Sequence, residues 1–332
     1  MKAVFLRALE EIEDKGLLIR ESVAIHRTSS GRIKFEVDPQ DFLAIKGTPF
    51  AYWAGESIRK LFVRLKPFES DGREAWMGLS SGSNFQWLRL IWEISPSDQS
   101  CSRFDTGSRG WARLSKGGEF SKYYSSIHLL VNWQGDGELI DRWKAAELFM
   151  GRVTPNNSKC WNRSKYFRRG LTWSNRTTRD LSLRVLPEGC IFGSKGPAAL
   201  VSDDSDSELL MLLAILNSSS FNALVEVQLA AADAAARSYE VGTLKRTPIP
   251  MISVETTPTL GSLAQTGWSL KRSLDTCTEH SHAFHLPAML QTTGNTLADR
   301  TTDWSNNVAS IQRELATLQS EIDDICFDLY GI

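Results

Sequence analysis

The spacing of apolar residues along the chain predicts a first part of mixed α and β structure. Helical spacing over residues 2–16 predicts a short amphipathic helix. Residues 17–66 alternate strand-like stretches with turn residues and end in a second predicted helix over 56–63. From 75 to 201, short strand-like stretches alternate with turns rich in glycine and serine, which is typical of a mixed domain.

The pattern becomes helical after residue 207. A strongly apolar helix is predicted over 208–216, followed by a break at 217–220 and a further helix over 221–237. A proline-rich segment, 246–261, then predicts a connector to a helical C-terminal region.

The last helix, predicted over 306–330, has the most regular apolar spacing. Spacings of three and four alternate, as at the a and d positions of a heptad repeat, along Val308, Ile311, Leu315, Leu318, Ile322, Ile325 and Leu329. Two interpretations stay open: this seam packs on the protein's own helix near 261–279, or it binds a partner helix. The candidate partner-binding residues are Ile311, Leu315, Leu318 and Ile322.

These elements predict an α+β fold in which a mixed α/β domain is followed by a helical C-terminal part with a long heptad helix. The predicted division is an N-terminal junction of a helix and strands at 1–45, an α/β domain at 46–250 and a helical region at 251–332. A chain of 332 residues is long enough for two or three domains and a sizeable core.

Composition narrows the class of protein. Hydrophobic residues are 42% of the chain and charged residues 23%, as in ordinary globular proteins, and the formal net charge of -1 excludes a uniformly basic protein. The five cysteines are scattered without a C-x-x-C pair, which indicates ordinary thiols in a reducing compartment. No apolar run reaches the ~20 residues that span a bilayer, and acidic residues in the first turns argue against a signal peptide. We therefore expect a soluble cytoplasmic protein without membrane contact.

Three familiar catalytic signatures are absent from the sequence. They are G-x-x-x-x-G-K-[ST], G-x-G-x-x-G after a strand and H-E-x-x-H. Metal-ligating residue types cluster at Cys277, His280, His282 and His285. One helix cannot direct four such side chains at one ion, so we expect no metal site and interpret these histidines as solvent-facing.

Basic residues are concentrated in the segment 159–184, where eight lysines and arginines accompany one acid, Asp180, for a net charge of +7. A clustered basic stripe gains affinity for a phosphate backbone through counterion release, and aromatic residues are interleaved with it. The pattern predicts DNA contact; the alternative is a solvated basic face on strands whose aromatic residues point inward. The DNA-binding candidates in this basic block are Lys165, Arg168, Arg169, Trp173, Arg176 and Arg179.

A second basic segment, 109–122, carries Arg113 and Lys116 beside Gly117 and Gly118. Because glycine lacks a side chain, this pair would let the backbone approach a phosphate closely. A plain surface turn is the alternative interpretation of the same segment.

Several segments resemble, in order, the C-terminal half of one protein family. They are GLSSGSNFQWLRLIWEI at 78–94, WARLSKGGEFSKYYSSIHLLVNWQGDGELI at 111–140 and KYFRRGLTWSNRTTRDLSLRVLPEGCIFGSKGPAAL at 165–200, with shorter matches at 212–226, 238–250 and 322–332. The family is the large adenine-specific DNA methyltransferases (PglX) of the BREX and DISARM anti-phage defence systems, which are related to type IIG restriction–modification enzymes.

The resemblance implies a role in target recognition rather than in catalysis. The catalytic half of the family binds S-adenosylmethionine and carries an N-P-P-Y tetrapeptide that holds the flipped adenine, whereas this chain has no Pro-Pro pair. S-adenosylmethionine is therefore expected on a catalytic partner, with no cofactor in this chain. The positions that match the motifs of the family are Asn84, Arg89, Lys116, Gly117, Gly118, Gly170, Trp173, Arg176, Arg184 and Lys195, of which Asn84, Arg89 and Lys195 join the DNA-binding candidates.

Three hypotheses stay open at this point. The first is a DNA-specificity subunit that binds double-stranded DNA and a catalytic methyltransferase subunit or another defence-system protein. The second is an enzyme in its own right, which requires a cofactor site that no motif reveals. The third is a truncated homologue that acts as a protein-interaction or regulatory subunit of a defence complex without contacting DNA.

Overall fold

The structure, a computed structural model, describes residues 3–6, 20, 34–45, 51–100, 110–155, 160–229 and 236–332. The strands are β1 (Ala3–Leu6), β2 (Lys34–Val37), β3 (Arg73–Trp76), β4 (Leu88–Leu90), β5 (Gln99–Ser100), β6 (Trp111–Ser115), β7 (Leu129–Asn132), β8 (Gly170–Trp173), β9 (Arg176–Thr177), β10 (Leu183–Leu186), β11 (Cys190–Phe192), β12 (Ala198–Val201) and β13 (Arg237–Ser238). The helices are α1 (Glu56–Arg64), α2 (Asn84–Trp87), α3 (Gln134–Phe149), α4 (Asp206–Leu216), α5 (Ser219–Glu226), α6 (Val241–Arg246), α7 (Thr256–Asp275), α8 (Ala288–Gln291) and α9 (Leu297–Tyr330). Short 3-10 turns cover Pro39–Ala44, Ile91–Glu93, Pro96–Asp98 and Arg163–Lys165.

Two sheets form the mixed part of the molecule. The first is antiparallel, with the strand order β10-β8-β12-β3. The second has the order β11-β6-β7-β4, and both β11 and β5 pair with β6 in parallel. Two small antiparallel ladders pair β1 with β2 and β9 with β13. The predicted α+β fold class is therefore confirmed.

The first sheet is covered on both faces, and all four residues of β8 and of β12 are buried. On one face, Leu171 and Val201 join a cluster with the helices α4, α5, α7 and α9. On the other face, Ala198 and Leu200 join a second cluster with residues of the second sheet. A strand that is buried on both faces shows no alternation of polar and apolar residues.

A single asparagine joins the break between α4 and α5 to the sheet. The side chain of Asn217 accepts from the backbone N–H of Leu183 and donates to its carbonyl oxygen, each at 2.9 Å. Ser218 then caps α5 by accepting from the N–H of Phe221 at 3.2 Å. These bonds satisfy backbone groups at the break between α4 and α5. The sequence correctly predicts a break at this place.

Helices α4 and α5 reach the length and apolar composition of a membrane span only when the bent pair is taken together. No single helix in the described ranges is long and apolar enough to span a membrane.

Three predictions about local structure are wrong. The helix predicted over 221–237 ends at Glu226, and Arg237 lies in β13. Residues 3–6, at the start of the predicted helix 2–16, form a strand that pairs with β2, and Phe5 stacks on Tyr52 with ring centroids 4.8 Å apart. The remainder of that prediction lies outside the described residues. The connector predicted over 246–261 is shorter than expected, because α7 begins at Thr256. Pro258 lies in the first turn of α7, where a residue donates no intrahelical hydrogen bond, so proline is tolerated there.

The long helix α9 begins at Leu297, earlier than predicted, behind a capping box formed by Thr296 and Asp299. Its heptad seam faces this molecule: Leu318 and Ile322 lie in the core shared with α4 and α7. The interpretation of Ile311, Leu315, Leu318 and Ile322 as an open partner-binding seam is therefore wrong, since three are buried and Leu315 is half-buried along the same seam. The alternative, packing on the protein's own helices, is the one observed.

Candidate nucleic-acid interface

Much of the charge in the basic block is paired with acids from other segments. Lys165 forms an ion pair with Glu74. Arg168 binds Asp204 through two guanidinium nitrogens, the shorter contact being 2.6 Å. The expected concentrated cationic face is therefore wrong for this half of the block, because these pairs neutralise it locally.

Arg169 is paired in the same way. Its guanidinium contacts Glu188 at 2.6 Å and Asp206 at 2.8 Å, and these hydrogen bonds raise its pKa above the ordinary value. Arg169 is more exposed than Arg168, but two carboxylates already occupy its donors. The pairing favours a structural role for this arginine.

Trp173 does not stack on DNA. Its side chain is fully buried in β8, and its indole Nε1 donates to the carbonyl oxygen of Tyr239 at 2.8 Å. The prediction of a DNA contact for this residue is wrong because both faces of the strand are covered.

Four loops from different parts of the chain meet at one surface: 81–84, 115–120, 174–179 and 193–196. We call this surface the four-loop platform. Gly193 donates its N–H to Ser115 at 2.7 Å, and Asn175 donates its N–H to the carbonyl of Lys195 at 3.0 Å. The loop 81–84 is attached because Lys116 donates to the side-chain oxygen of Asn84. Backbone and side-chain bonds therefore fix the loops relative to one another.

The platform brings together candidates that are distant in sequence: Asn84, Lys116, Arg176, Arg179 and Lys195. Arg176 and Lys195 are exposed, and the guanidinium of Arg179 lies 5.5 Å from the centre of the Phe120 ring. In the part of the chain that the structure describes, none of the four basic residues forms an ion pair. Burial lowers the pKa of Lys116 relative to an ordinary lysine. Unlike the paired half of the basic block, this surface keeps its positive charge.

Gly117 allows two loops of the platform to approach each other closely. With φ of 83°, a β-carbon at Gly117 would collide with the carbonyl oxygen of Lys195. Glycine is therefore needed for the close approach of two protein loops, not for the approach of a phosphate. The neighbouring Gly118, with φ of 133°, lies more openly, because the nearest atom to a β-carbon there would be a guanidinium nitrogen of Arg184 at 4.0 Å.

Arg184 is a buried cation directly beneath the platform. Its guanidinium donates to the carbonyl oxygen of Glu119 and to the hydroxyl of Ser174, both at 2.8 Å, while its Nε has no acceptor among the described residues. Burial lowers the pKa of Arg184 to about 10, so the side chain stays charged at neutral pH. No carboxylate within the described ranges forms an ion pair with it. An uncompensated buried charge favours an anion at the surface above it.

The resemblance to the methyltransferases marks the position of Arg184, but the sequence alone did not make it a DNA-binding candidate. The sequence does not show that Arg184 is buried without a counterion. That burial results from the packing of β10 beneath the loop 115–120.

A cleft of about 230 Å³ adjoins the platform and is lined by Lys116, Gly118, His128 and Lys195, among others. Near it, His282 accepts a hydrogen bond from the backbone N–H of Ile127 at 3.0 Å through its Nδ1. The segment 277–285 therefore includes one histidine, His282, that is half-buried and bonded to the chain before β7 rather than facing solvent. No group of three metal-ligating side chains occurs among the described residues.

Arg113 and Arg89 do not join the platform. Arg113 is half-buried, and its charge helps to lower the pKa of His282, which places it towards the histidine side of the cleft. Arg89 donates to the carbonyl oxygens of Phe85 and Leu88 at 2.8 and 2.7 Å, so its donors hold the α2 turn. DNA contact by either arginine stays a prediction.

The chain is similar over most of its length to adenine-specific methyltransferases. PglX from Lacticaseibacillus casei (strain Zhang) is 26% identical over 309 residues, which cover 88% of this chain and 24% of that protein. BrxX from Escherichia coli O9:H4 (strain HS) is 26% identical over 222 residues, which cover 67% of this chain and 16% of that protein. The resemblance stated from the motifs is thus confirmed, and the chain spans about a quarter or less of the length of these relatives.

Solved structures of restriction–modification enzymes also match. The type IIL enzyme MmeI, determined in complex with DNA, aligns with a TM-score of 0.48 and 11% identity over 80% of this chain and 33% of that one. The type IIG restriction endonuclease BpuSI aligns with a TM-score of 0.38 and 10% identity over 95% of this chain and 38% of that one. No family model matches the sequence.

Proposed function

We propose that this chain is a DNA target-recognition module of an adenine-N6 DNA methyltransferase system, of the kind that bacteria use in restriction–modification or anti-phage defence. The observation that carries the proposal is the unpaired positive charge of the four-loop platform, on a chain whose formal net charge is -1. The platform would bind double-stranded DNA through Lys116, Arg176, Arg179 and Lys195. Similarity to PglX and BrxX supplies the link to adenine methylation.

Each side chain has a distinct role in this proposal. The lysines neutralise phosphates as mobile point charges, whereas Arg176 has a planar fork that can bind a phosphate or the edge of a guanine. The oxygen of Asn84 accepts from Ser81 at 2.7 Å and from Lys116, so its amide nitrogen is left to donate to a base. Phosphate contacts thereby position the module and a few polar groups specify the sequence.

Catalysis belongs elsewhere in this proposal. The tetrapeptide that holds a flipped adenine is absent from the sequence, so S-adenosylmethionine and the target base would be bound by a catalytic methyltransferase subunit or region. This chain would hold the duplex in register while that partner methylates the adenine.

The test is the salt dependence of duplex binding. In the triple variant Lys116→Met, Arg176→Met and Lys195→Met, duplex affinity should fall and the slope of log K against log salt should become shallower by about 3. The control is Lys60→Met, which removes an equally positive but ion-paired side chain on α1. Salt-independent binding by the unmodified chain, or an unchanged slope in the triple variant, would contradict DNA recognition and favour the protein-interaction hypothesis.

A further inference from the structure

Two phenylalanine side chains in the described ranges are almost fully exposed: Phe85 at 92% and Phe149 at 94%. Burial in an apolar environment stabilises a phenylalanine ring relative to exposure, so neither ring gains that energy in the isolated chain. The surroundings of the two rings differ.

Phe85 lies at the edge of the four-loop platform. The preceding residue, Asn84, accepts a hydrogen bond from Lys116, and the guanidinium of Arg89 binds the carbonyl oxygen of Phe85 itself at 2.8 Å. One cation therefore binds the side chain that precedes Phe85, and a second binds the backbone of Phe85. Phe149, by contrast, ends α3 two residues after Glu147, whose carboxylate is paired with Arg152 at 3.2 Å.

The turn that carries Phe85 is anchored. Trp87, two residues later, is buried in the cluster between the two sheets. The backbone N–H of Trp87 donates to the carbonyl oxygen of Ser83 at 3.2 Å. The bond from Arg89 holds the carbonyl side of the same turn. The ring is thus presented on a fixed support, which reduces the entropy lost when a ligand fixes it.

We propose that Phe85 is an insertion side chain that enters the base stack of duplex DNA bound on the platform. This inference rests on the proposed function. Apolar side chains inserted between base steps partly unstack them and kink the duplex, and adjacent cations hold the phosphates on either side. Lys116 is placed for that second task. Insertion is favoured at pyrimidine–purine steps, which unstack most readily.

The experiment uses the full chain and duplexes selected by it from a randomised library. In each selected duplex, 2-aminopurine replaces one adenine at a time, and its fluorescence rises where stacking is lost. The unmodified chain should raise the fluorescence at one step. Phe85→Ala should abolish that rise and weaken binding by about tenfold. Phe85→Leu should retain most of both effects, because a branched aliphatic side chain also acts as a wedge. The matched control, Phe149→Ala, should behave as the unmodified chain.

The outcomes separate this inference from the proposed function. If Phe85→Ala binds the selected duplex as tightly as the unmodified chain with the same 2-aminopurine signal, insertion is overturned while DNA recognition stands. An affinity loss with no fluorescence rise at any position in the unmodified chain also overturns insertion, because the ring then contacts DNA without unstacking it. If the library yields no duplex that binds in a salt-dependent manner, both proposals fall.

Discussion

The guanidinium of Arg184 donates to the hydroxyl oxygen of Ser174 at 2.8 Å, and that hydroxyl donates in turn to the carbonyl oxygen of Gly118 at 2.6 Å. The two bonds connect the core strand β10 to the turn after β8 and to the loop 115–120. The charged floor of the four-loop platform is therefore also the support that holds its loops together.

The variant Ser174→Ala removes both bonds and leaves a buried guanidinium nitrogen and a loop carbonyl unsatisfied. We expect the free energy of unfolding to fall by about 1–3 kcal/mol, measured by urea denaturation, together with weaker duplex binding. Ser194→Ala, at a half-buried platform position, is the control and should change little. Equal stability of the two variants would contradict a supporting role for Ser174.

Gly117→Ala tests the contact between two platform loops. Both the positive φ and the collision with the carbonyl of Lys195 oppose a β-carbon, so we expect a loss of several kcal/mol and weaker duplex binding. Gly151→Ala separates the two causes, because Gly151 has φ of 69° but no atom within 4 Å of the added carbon. It should lose only about 1 kcal/mol, the cost of a left-handed conformation. Equal losses in the two variants would show that the loop contact contributes nothing.

The arginines of the basic block should divide into two classes. Arg176→Ala should make the salt slope of duplex binding shallower by about 1 without affecting stability. Arg168→Ala should instead destabilise the fold by about 1 kcal/mol, since it removes the ion pair with Asp204, and should leave the slope unchanged. Fluorescence anisotropy titrations and thermal melts of the same preparations measure both quantities. A slope change in Arg168→Ala would return this residue to the DNA interface.

Acid should destabilise the fold through His282. Burial lowers the pKa of His282 from 6.5 to about 4 in the folded chain, and its Nδ1 must be unprotonated to accept from Ile127. The unfolded chain therefore binds the proton first, and the contribution of His282 to stability is complete above pH 6.5 and declines as the pH falls towards 4. Urea midpoints measured at about pH 7 and about pH 5 should differ more for the unmodified chain than for His282→Asn. The same difference in both would assign the pH dependence to other groups.

The seam of α9 should behave as a core. Leu318→Ala should lower the free energy of unfolding by about 2–5 kcal/mol, because it opens a cavity beside Ile322. Thr317→Ala, on the exposed face of the same helix, should change it by less than about 0.5 kcal/mol. A wild-type stability for Leu318→Ala in the isolated chain would mean that the seam packs against something outside it.

The sequence by itself determined the elements whose patterns are local. The break after α4 was predicted from Asn217 and the serines that follow. The heptad spacing predicted the long helix, and the ordered motifs predicted the resemblance to adenine-specific methyltransferases. These predictions depend on residues that are close in sequence or on the resemblance to a family. They do not require knowledge of the tertiary contacts.

Tertiary structure decided which basic residues keep their charge. Arg168 lies 36 positions from Asp204, and nothing in the local pattern indicates that pair. The strand β8 is buried on both faces, so its sequence contains no alternation to show that Trp173 points inward. The five platform candidates meet only because the loops 115–120, 174–179 and 193–196 follow strands of two different sheets. Burial and ion pairing depend on long-range contacts, and those contacts alone distinguished the arginines that are paired with acids from the ones that keep an unpaired charge.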